Sequence, residues 1–477
     1  MKDRITLTTW KWVAYLTSLF FVALFTAVIG VMALQKTIKA ALYYNITLSA
    51  GVGIFVCFIT MFLYIRYILS KDKYIECSLL KGTVIVFSTV VITILSSTAM
   101  YALGMDYAMP IVYSSLMVTL MLRQRLGIMS TVTSASAVVI LNLISGPNYS
   151  LHNVLGITIA VLTGIFMIFL IRKGYNRFKL TWGTILVAIS VAPLGFLIAL
   201  GYTENVRFAL KSGLECFMGS MIGIATFTIM LPIYEIVFRI WTDFKLAEVC
   251  SFNNPLLKKL REEASGTFNH SMIVSNLAEN CAIAIGINPF MARACACFHD
   301  IGKIKNPKFF VENQTDGYNP HDELIPEVSA NMITRHVANG AEILKEYKMP
   351  NEVIKAALEH HGDTPVMYFY LKAKVITEGE LDMDEYRYDG PLPTTKYSAI
   401  IMICDVCEAL LRTKSPSSQE ELEEIVGGVI KDKMTDGQFD NCDLTINDMV
   451  VIKQTICNII PTMLHKRIDY NKAKERR

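Results

Sequence analysis

The sequence predicts an all-α protein in two parts, a polytopic transmembrane helix bundle followed by a cytoplasmic all-helical domain. Three observations predict it. First, the 477-residue chain is 53% hydrophobic and 18% charged, with a mean hydropathy of +0.40, whereas soluble domains run near a quarter charged. Second, the long apolar runs all lie in the first half. Third, the charge divides at the same place: residues 1–240 hold 18 Lys+Arg against 7 Asp+Glu, and residues 241–477 hold 27 against 35. The halves therefore carry +11 and −8. These values exclude a fully soluble enzyme, a disordered chain and a secreted disulfide scaffold. An acidic second half also repels phosphate backbones, which argues against a nucleic-acid polymer as its partner.

The expected organisation is a first transmembrane helix with a short extracytoplasmic loop (1–45), a helix bundle (46–240) and a cytoplasmic domain (241–477). A helix needs about 20 apolar residues to cross the hydrocarbon core. The candidate spans are 13–34, 46–65, 82–103, 109–122, 126–144, 154–171, 182–200 and 216–238. The fourth is short. It is a tilted neighbour of the fifth, a span in a thinned bilayer, or half of a re-entrant hairpin with the fifth. The total is then eight spans, or six with the hairpin.

Positive charge stays in the cytoplasm. Lys2 and Arg4, Arg66, Lys71 and Lys73, Arg123 and Arg125, the Arg172–Lys179 cluster, and Arg239 with Lys245 fall on alternate loops. The loops between them are poorer in charge. This alternation fits eight spans with both termini cytoplasmic. The first run is too long for a cleaved signal peptide and no small-residue cleavage site follows it, so it reads as an anchor. Few ionisable residues lie within the spans, which argues against a pump or transporter. Glu235, near the cytoplasmic end of the last span, reads as structural. The bundle is an anchor, assembly surface or sensor, and small residues such as Ser134, Ala135 and Ser136 suit helix packing, including packing in a homo-oligomer. The eleven cysteines show no metal-type or redox-type pairing and read as small buried hydrophobes.

From about Trp241 the apolar pattern is helical nearly throughout. Helices are expected over 271–285, 289–297, 327–345, 351–360, 396–411, 419–431 and 444–465. Asn288-Pro289, Asn306-Pro307, Asn319-Pro320, Met349-Pro350 and Gly390-Pro391 mark the joints. Residues 377–395 are acidic and aperiodic, and are expected to form a loop.

Six of the eight histidines, His270, His299, His321, His336, His360 and His361, fall within this domain's first part. All but His321 lie on a predicted helix or at its end. Imidazole and carboxylate together suit Mn, Fe or Zn. Adjacent side chains on a helix point about 100° apart, so the tandem His360-His361 can serve two metals. Asp405 lies in an apolar helical run, where a bare carboxylate is costly unless paired or metal-bound. Glu408, three residues on, is a surface group or a partner to a ligand.

The order His270, His299-Asp300, His336, His360-His361, Asp405 resembles the HD-domain metal phosphohydrolases, whose minimal signature is H…HD…D. Flanking residues sharpen the resemblance: Gly266-Thr-Phe-Asn-His-Ser271, His299-Asp-Ile-Gly-Lys303, Phe309-Phe-Val-Glu-Asn-Gln314, Asn319-Pro-His-Asp322, His360-His-Gly362 and Tyr368-Phe-Tyr370. Together with Leu246-Ala-Glu and Asn254-Pro-Leu-Leu257, they are similar to the membrane-bound HD hydrolases of the PgpH type, which degrade cyclic di-AMP. The likeness is close over about 245–412 and looser elsewhere. Two departures stand out. Family members carry a large extracytoplasmic domain between the first two spans, where this chain has only residues 35–45. The Gly-Tyr-Pro sequence of the cyclic di-GMP enzymes does not follow His360-His361.

The resemblance implies a bacterial plasma-membrane protein with two divalent ions, Mn or Fe. His270, His299, Asp300 and Asp405 would hold one ion. His336, His360 and His361, sharing Asp300, would hold the other. Two such ions clamp a phosphate and lower the pKa of a bridging water. They also invert the local field for an anionic substrate. The expected reaction opens a cyclic dinucleotide to a linear product, with Asp300 and Lys303 as catalytic residues. Lys303, His321, Tyr368 and Tyr370 are the candidate substrate contacts, set against a solvated lysine, a loop histidine and core aromatics. The other readings are an HD hydrolase of a different nucleotide and a receptor that binds without turnover.

Overall fold

The computed structural model describes residues 40–71, 78–145, 151–171, 177–314, 317–376, 380–414, 416 and 418–463. The chain divides into two compact units, Met1–Phe244 and Lys245–Arg477. Among the described residues there are helices, short 3-10 turns and a single isolated antiparallel bridge, Pro365 to Arg387.

The first unit contains α1 (Ala40–Lys71), α2 (Leu79–Ala102), α3 (Val112–Met121), α4 (Gln124–Ser145), α5 (Leu151–Ile171), α6 (Arg177–Thr203) and α7 (Val206–Phe238). Six of these, all but α3, are long and apolar enough to cross a membrane. The expected first span, 13–34, lies outside the described residues. Two residues, Glu204 and Asn205, join α6 to α7, and so short a connection reverses the chain. Asn205 caps α7 by accepting from the Phe208 N–H at 3.1 Å.

The fourth run, 109–122, is short in the structure as in the sequence. Its helix, α3, has ten residues and rises about 15 Å, half the hydrocarbon thickness. The run is apolar because protein surrounds it: Tyr107, Ala108, Met109, Ile111 and every position from Val112 to Val118 are buried. Irregular backbone at membrane depth survives only where protein satisfies it. Here Glu215 of α7, 4% exposed, accepts from the Tyr107 N–H at 3.0 Å. Lys211 reaches the Gly104 carbonyl at 2.9 Å and Glu215 at 3.3 Å. A Cβ at Gly219 would lie 2.4 Å from the Met109 nitrogen, so only glycine admits this segment against α7.

The unit buries more polar groups than the scarcity of charge suggests. Thr93 and Ser220 bond carbonyls of their own helices, and Ser115 bonds Thr131 across α3 and α4 at 2.7 Å. Ser134 reaches Ser114 at 3.3 Å, and Ala135 is buried. These small residues pack helices within one chain. Glu235 is buried and accepts from Thr242, in keeping with a structural role.

The second unit continues α8 (Asp243–Val249) into α9 (Pro255–Glu263), α10 (Ser265–Ile285), α11 (Pro289–Phe298), α12 (Pro326–Glu346), α13 (Asn351–Glu359), α14 (Met367–Ile376), α15 (Lys396–Lys414), α16 (Gln419–Thr435) and α17 (Ile446–Met463). The Asn-Pro joints become helix starts. Asn254 accepts from the Leu256 N–H at 2.9 Å, and Asn288 from the Phe290 N–H at 2.9 Å. In each case proline follows at the first helical position, where a missing N–H costs nothing. Gly286, at φ 77°, ends α10 in the left-handed region. The central α10 packs against α11, α15 and α17. Helices α8, α9 and α14 fall where no helix was expected, and residues 380–395 hold a short turn, Met383–Tyr386, and Arg387 of the isolated bridge. All ten cysteines described are free thiols, eight of them buried.

Candidate metal centre

Five helices and one turn deliver the seven expected ligands to one place. His270 lies in the second turn of α10, His299 caps the end of α11, and Asp300 opens the following turn, Ile301–Lys305. His336 lies mid-way along α12. His360 and His361 end α13, and Asp405 lies mid-way along α15. They form two groups whose potential ligand atoms lie within 4.8 Å of one another: Asp300, His336, His360 and His361, and His270, His299 and Asp405.

Asp300 joins the groups. Its Oδ1 faces Nε2 of His336 at 3.1 Å and of His360 at 3.6 Å. Its Oδ2 faces Nε2 of His299 at 3.3 Å and of His270 at 3.8 Å. His270 Nε2 also meets Asp405 Oδ1 at 2.9 Å.

The far sides of the rings show why Nε2 of His299, His336 and His360 carries a lone pair. His299 Nδ1 donates to the Ala296 carbonyl at 2.8 Å, His336 Nδ1 to Ile333 at 2.7 Å, and His360 Nδ1 to Ala356 at 3.0 Å. His270 Nδ1 lies 2.6 Å from Glu408, which gives that residue its role beside a ligand. A hydrogen on Nδ1 leaves a lone pair on Nε2, the tautomer that binds metal. His336 and His360 then point two Nε2 lone pairs at each other across 3.3 Å. Among the described residues, buried His299 Nε2 and Asp300 Oδ1 have no hydrogen-bond partner. Converging lone pairs in a buried site repel unless a cation lies among them, so the donor set fits divalent metal ions.

The protonation states agree. Burial opposes charge on Asp300, but Lys303 and His299 outweigh it and hold the carboxyl well below its usual range. Burial likewise opposes charge on Asp405, and His270 more than compensates. Burial pushes His360 down to about 4 and His361 well down, aided by neighbouring rings. His270 differs: burial disfavours its charged form, but Asp405 and Glu408 push it up to about 10. A metal entering there displaces a proton.

The candidate substrate residues fare differently. Lys303 is at the centre but engaged, with Nζ 2.7 Å from Asp300 and 2.9 Å from Glu312. Glu312 in turn accepts from Thr267 at 3.0 Å. A solvated lysine is therefore corrected to a buried one holding the shared carboxylate. His321 belongs to neither metal group; it is buried, with Nε2 bonded to the Phe309 carbonyl at 2.9 Å and its ring against Phe369. Tyr370 packs on Tyr386, and Tyr368 is 65% exposed. Sequence reasoning gave no role to Tyr388, which stacks on His361 with ring centroids 4.3 Å apart.

Residues 267–410 match the HD domain family. The chain is 43% identical over 279 residues to the cyclic-di-AMP phosphodiesterase PgpH of Listeria monocytogenes serotype 1/2a (strain 10403S), covering 58% of this chain and 37% of that protein. It is 33% identical over 378 residues to PgpH of Bacillus subtilis (strain 168), covering 78% and 52%. The chain carries an HD domain of the PgpH type. A crystal structure of the L. monocytogenes PgpH HD domain in complex with cyclic-di-AMP is 46% identical, with 45% of this chain and 99% of that chain covered and a TM-score of 0.43. The chain spans between about a third and a half of the length of these curated relatives. The HD domain match, 267–410, begins within α10 and ends within α15, and so takes in all seven converging residues.

Proposed function

We propose that this chain is a membrane-anchored, metal-dependent phosphodiesterase that opens cyclic di-AMP to linear pApA. The observation that carries the reading is Asp300, one buried carboxylate with an oxygen turned to each of two ligand groups. His270, His299, Asp300 and Asp405 would hold one ion, and Asp300, His336, His360 and His361 the other. Histidine with carboxylate suits Mn or Fe. When bound, such ions supply Lewis acidity toward the phosphoryl oxygens and a nucleophile at neutral pH.

The chain's own residues do the rest. Asp300, kept ionised by Lys303, is available to both ions at once. Glu312 holds Lys303 against Asp300, so the ammonium sits beside the site where phosphate charge must be balanced. Glu408 and the three backbone carbonyls hold Nδ1 of His270, His299, His336 and His360 in advance. The names of the relatives supply the cyclic di-AMP assignment. The alternation of basic loops supports a topology with the HD domain and both termini cytoplasmic, and the resemblance to the PgpH-type proteins supports a bacterial plasma membrane.

The test uses the full chain in lipid nanodiscs, loaded with Mn and given cyclic di-AMP or cyclic di-GMP separately. Chromatography should show cyclic di-AMP opened preferentially. A folded, metal-loaded chain that turns over neither, or prefers cyclic di-GMP, overturns the assignment.

A further inference from the structure

Of the five clustered histidines, four have Nδ1 fixed by a short hydrogen bond. His361 has none. Its Nδ1 lies 3.9 Å from Asp405, beyond hydrogen-bond reach. It is also the most exposed of the five: its side chain is 21% exposed, against 7% or less for the others. What holds it is a ring. Tyr388 lies nearly parallel to His361, at 24° and 4.3 Å, and meets His336 edge-on at 5.9 Å.

Tyr388 is itself held from both sides. Its N–H donates to Thr364 at 3.2 Å, and the neighbouring Arg387 donates to the Asp363 carbonyl at 2.9 Å. Further along, the backbone and hydroxyl of Thr394 donate to Glu359 at 2.9 and 2.6 Å, and Ser398 donates to the same carboxylate at 2.7 Å. Between these anchors Gly390 passes so close that a Cβ would lie 2.6 Å from the Leu358 carbonyl. The segment 387–398 is thus fastened on both sides of the tandem histidines, at Glu359 before them and at Asp363 and Thr364 after them. Its hydrogen bonds go to the end of α13 and the turn that follows, and the ring it delivers goes to His361.

We propose that this segment is a strap that sets the second metal subsite, with Tyr388 as the positioning residue for His361. Stacking takes the place of the hydrogen bond that orients the other rings. Aromatic pairs attract beyond their burial, and lost support around a metal ligand typically weakens metal affinity about 10–100-fold. The requirement is for an aromatic face, so phenylalanine should serve and leucine should not. The inference rests on the two-ion reading above.

The experiment titrates the metal-free full chain in nanodiscs with Mn against a competing chelator. Wild type should take up two ions; fewer than two would defeat the two-ion reading itself. Given two, Tyr388→Phe should keep both affinities within twofold. Tyr388→Leu should weaken one ion at least tenfold and leave the other within twofold, and its turnover should recover in excess Mn. Thr394→Val, which releases the strap at its far anchor, should weaken the same ion by about threefold and serves if the leucine variant does not fold. Unchanged affinities in both Tyr388→Leu and Thr394→Val, or equal loss of both ions, would overturn the proposal.

Discussion

Gly302 is where the packing of the domain and the geometry of the metal centre meet. It lies two residues after Asp300, and a Cβ there would fall 2.0 Å from the His336 carbonyl and 2.5 Å from the Gly340 nitrogen. Ordinary contact begins at 3.4 Å, so Gly302→Ala has to separate the Asp300 turn from α12 by about 1.4 Å, the difference between 3.4 and 2.0 Å. These are the elements that carry Asp300 and His336, whose facing atoms are 3.1 Å apart. Metal sites tolerate only about 0.2 Å in ligand distance. A displacement on the order of 1 Å costs about 10²-fold in rate. Overpacking of this kind costs about 1–3 kcal/mol, or roughly 2–12 °C in Tm for a domain of this size. Turnover of cyclic di-AMP, Mn affinity and thermal unfolding of the full chain measure the three effects. Turnover and both affinities within twofold of wild type would refute the claim that this contact sets the centre.

Other outcomes follow from the same contacts. Chelating the metal should lower the Tm of wild type, since an ion present at 100 times its Kd adds about 2.7 kcal/mol; no shift on chelation would contradict a metal-linked fold. In the metal-free chain, His360, down at about 4, favours folding above the usual 6.5 and less so as pH falls toward 4. His270, up at about 10, stabilises fully below 6.5 and loses that contribution as pH rises through 10. The Tm of the metal-free chain should therefore peak near pH 6.5, and a flat profile between pH 6.5 and 9 would be inconsistent with the His270 contacts. Glu215→Ala leaves the buried Tyr107 N–H without its acceptor and should cost about 1–3 kcal/mol, read as a lower unfolding temperature in detergent. An unchanged temperature would show that the irregular segment before α3 does not depend on Glu215.

Much of this was legible in the sequence because helical periodicity and ligand order are local signals. The seven candidate ligands converge as their order suggested, since all lie on helices, at helix ends or in the turn that follows one. Apolarity says that a segment is buried but not by what, so the sequence left 109–122 open as a tilted helix, a short span or half of a hairpin, and the protein packed around α3 is what it did not show. Glu215 was missed because it fell one residue outside the expected last span, whereas α7 begins at Val206. Helix α14 hid because its exposed face carries Tyr368, Leu371 and Val375, which erases the polar side of the pattern. The partners of the ligands were the least visible. Glu312 and Tyr388 reach the centre from turns, through contacts that no periodicity records. The described part of the loop expected over 377–395 is a loop, and what its sequence hid was the contacts it makes.

The central claim is that Asp300 serves two ions at once, and metal counting on Asp300→Ala tests it most directly. Wild-type chain purified with Mn should contain two ions and open cyclic di-AMP. The variant should keep its helical content, lose affinity for both ions and lose turnover. A folded Asp300→Ala chain that retains either ion at wild-type affinity, or hydrolyses cyclic di-AMP at the wild-type rate, would contradict the account.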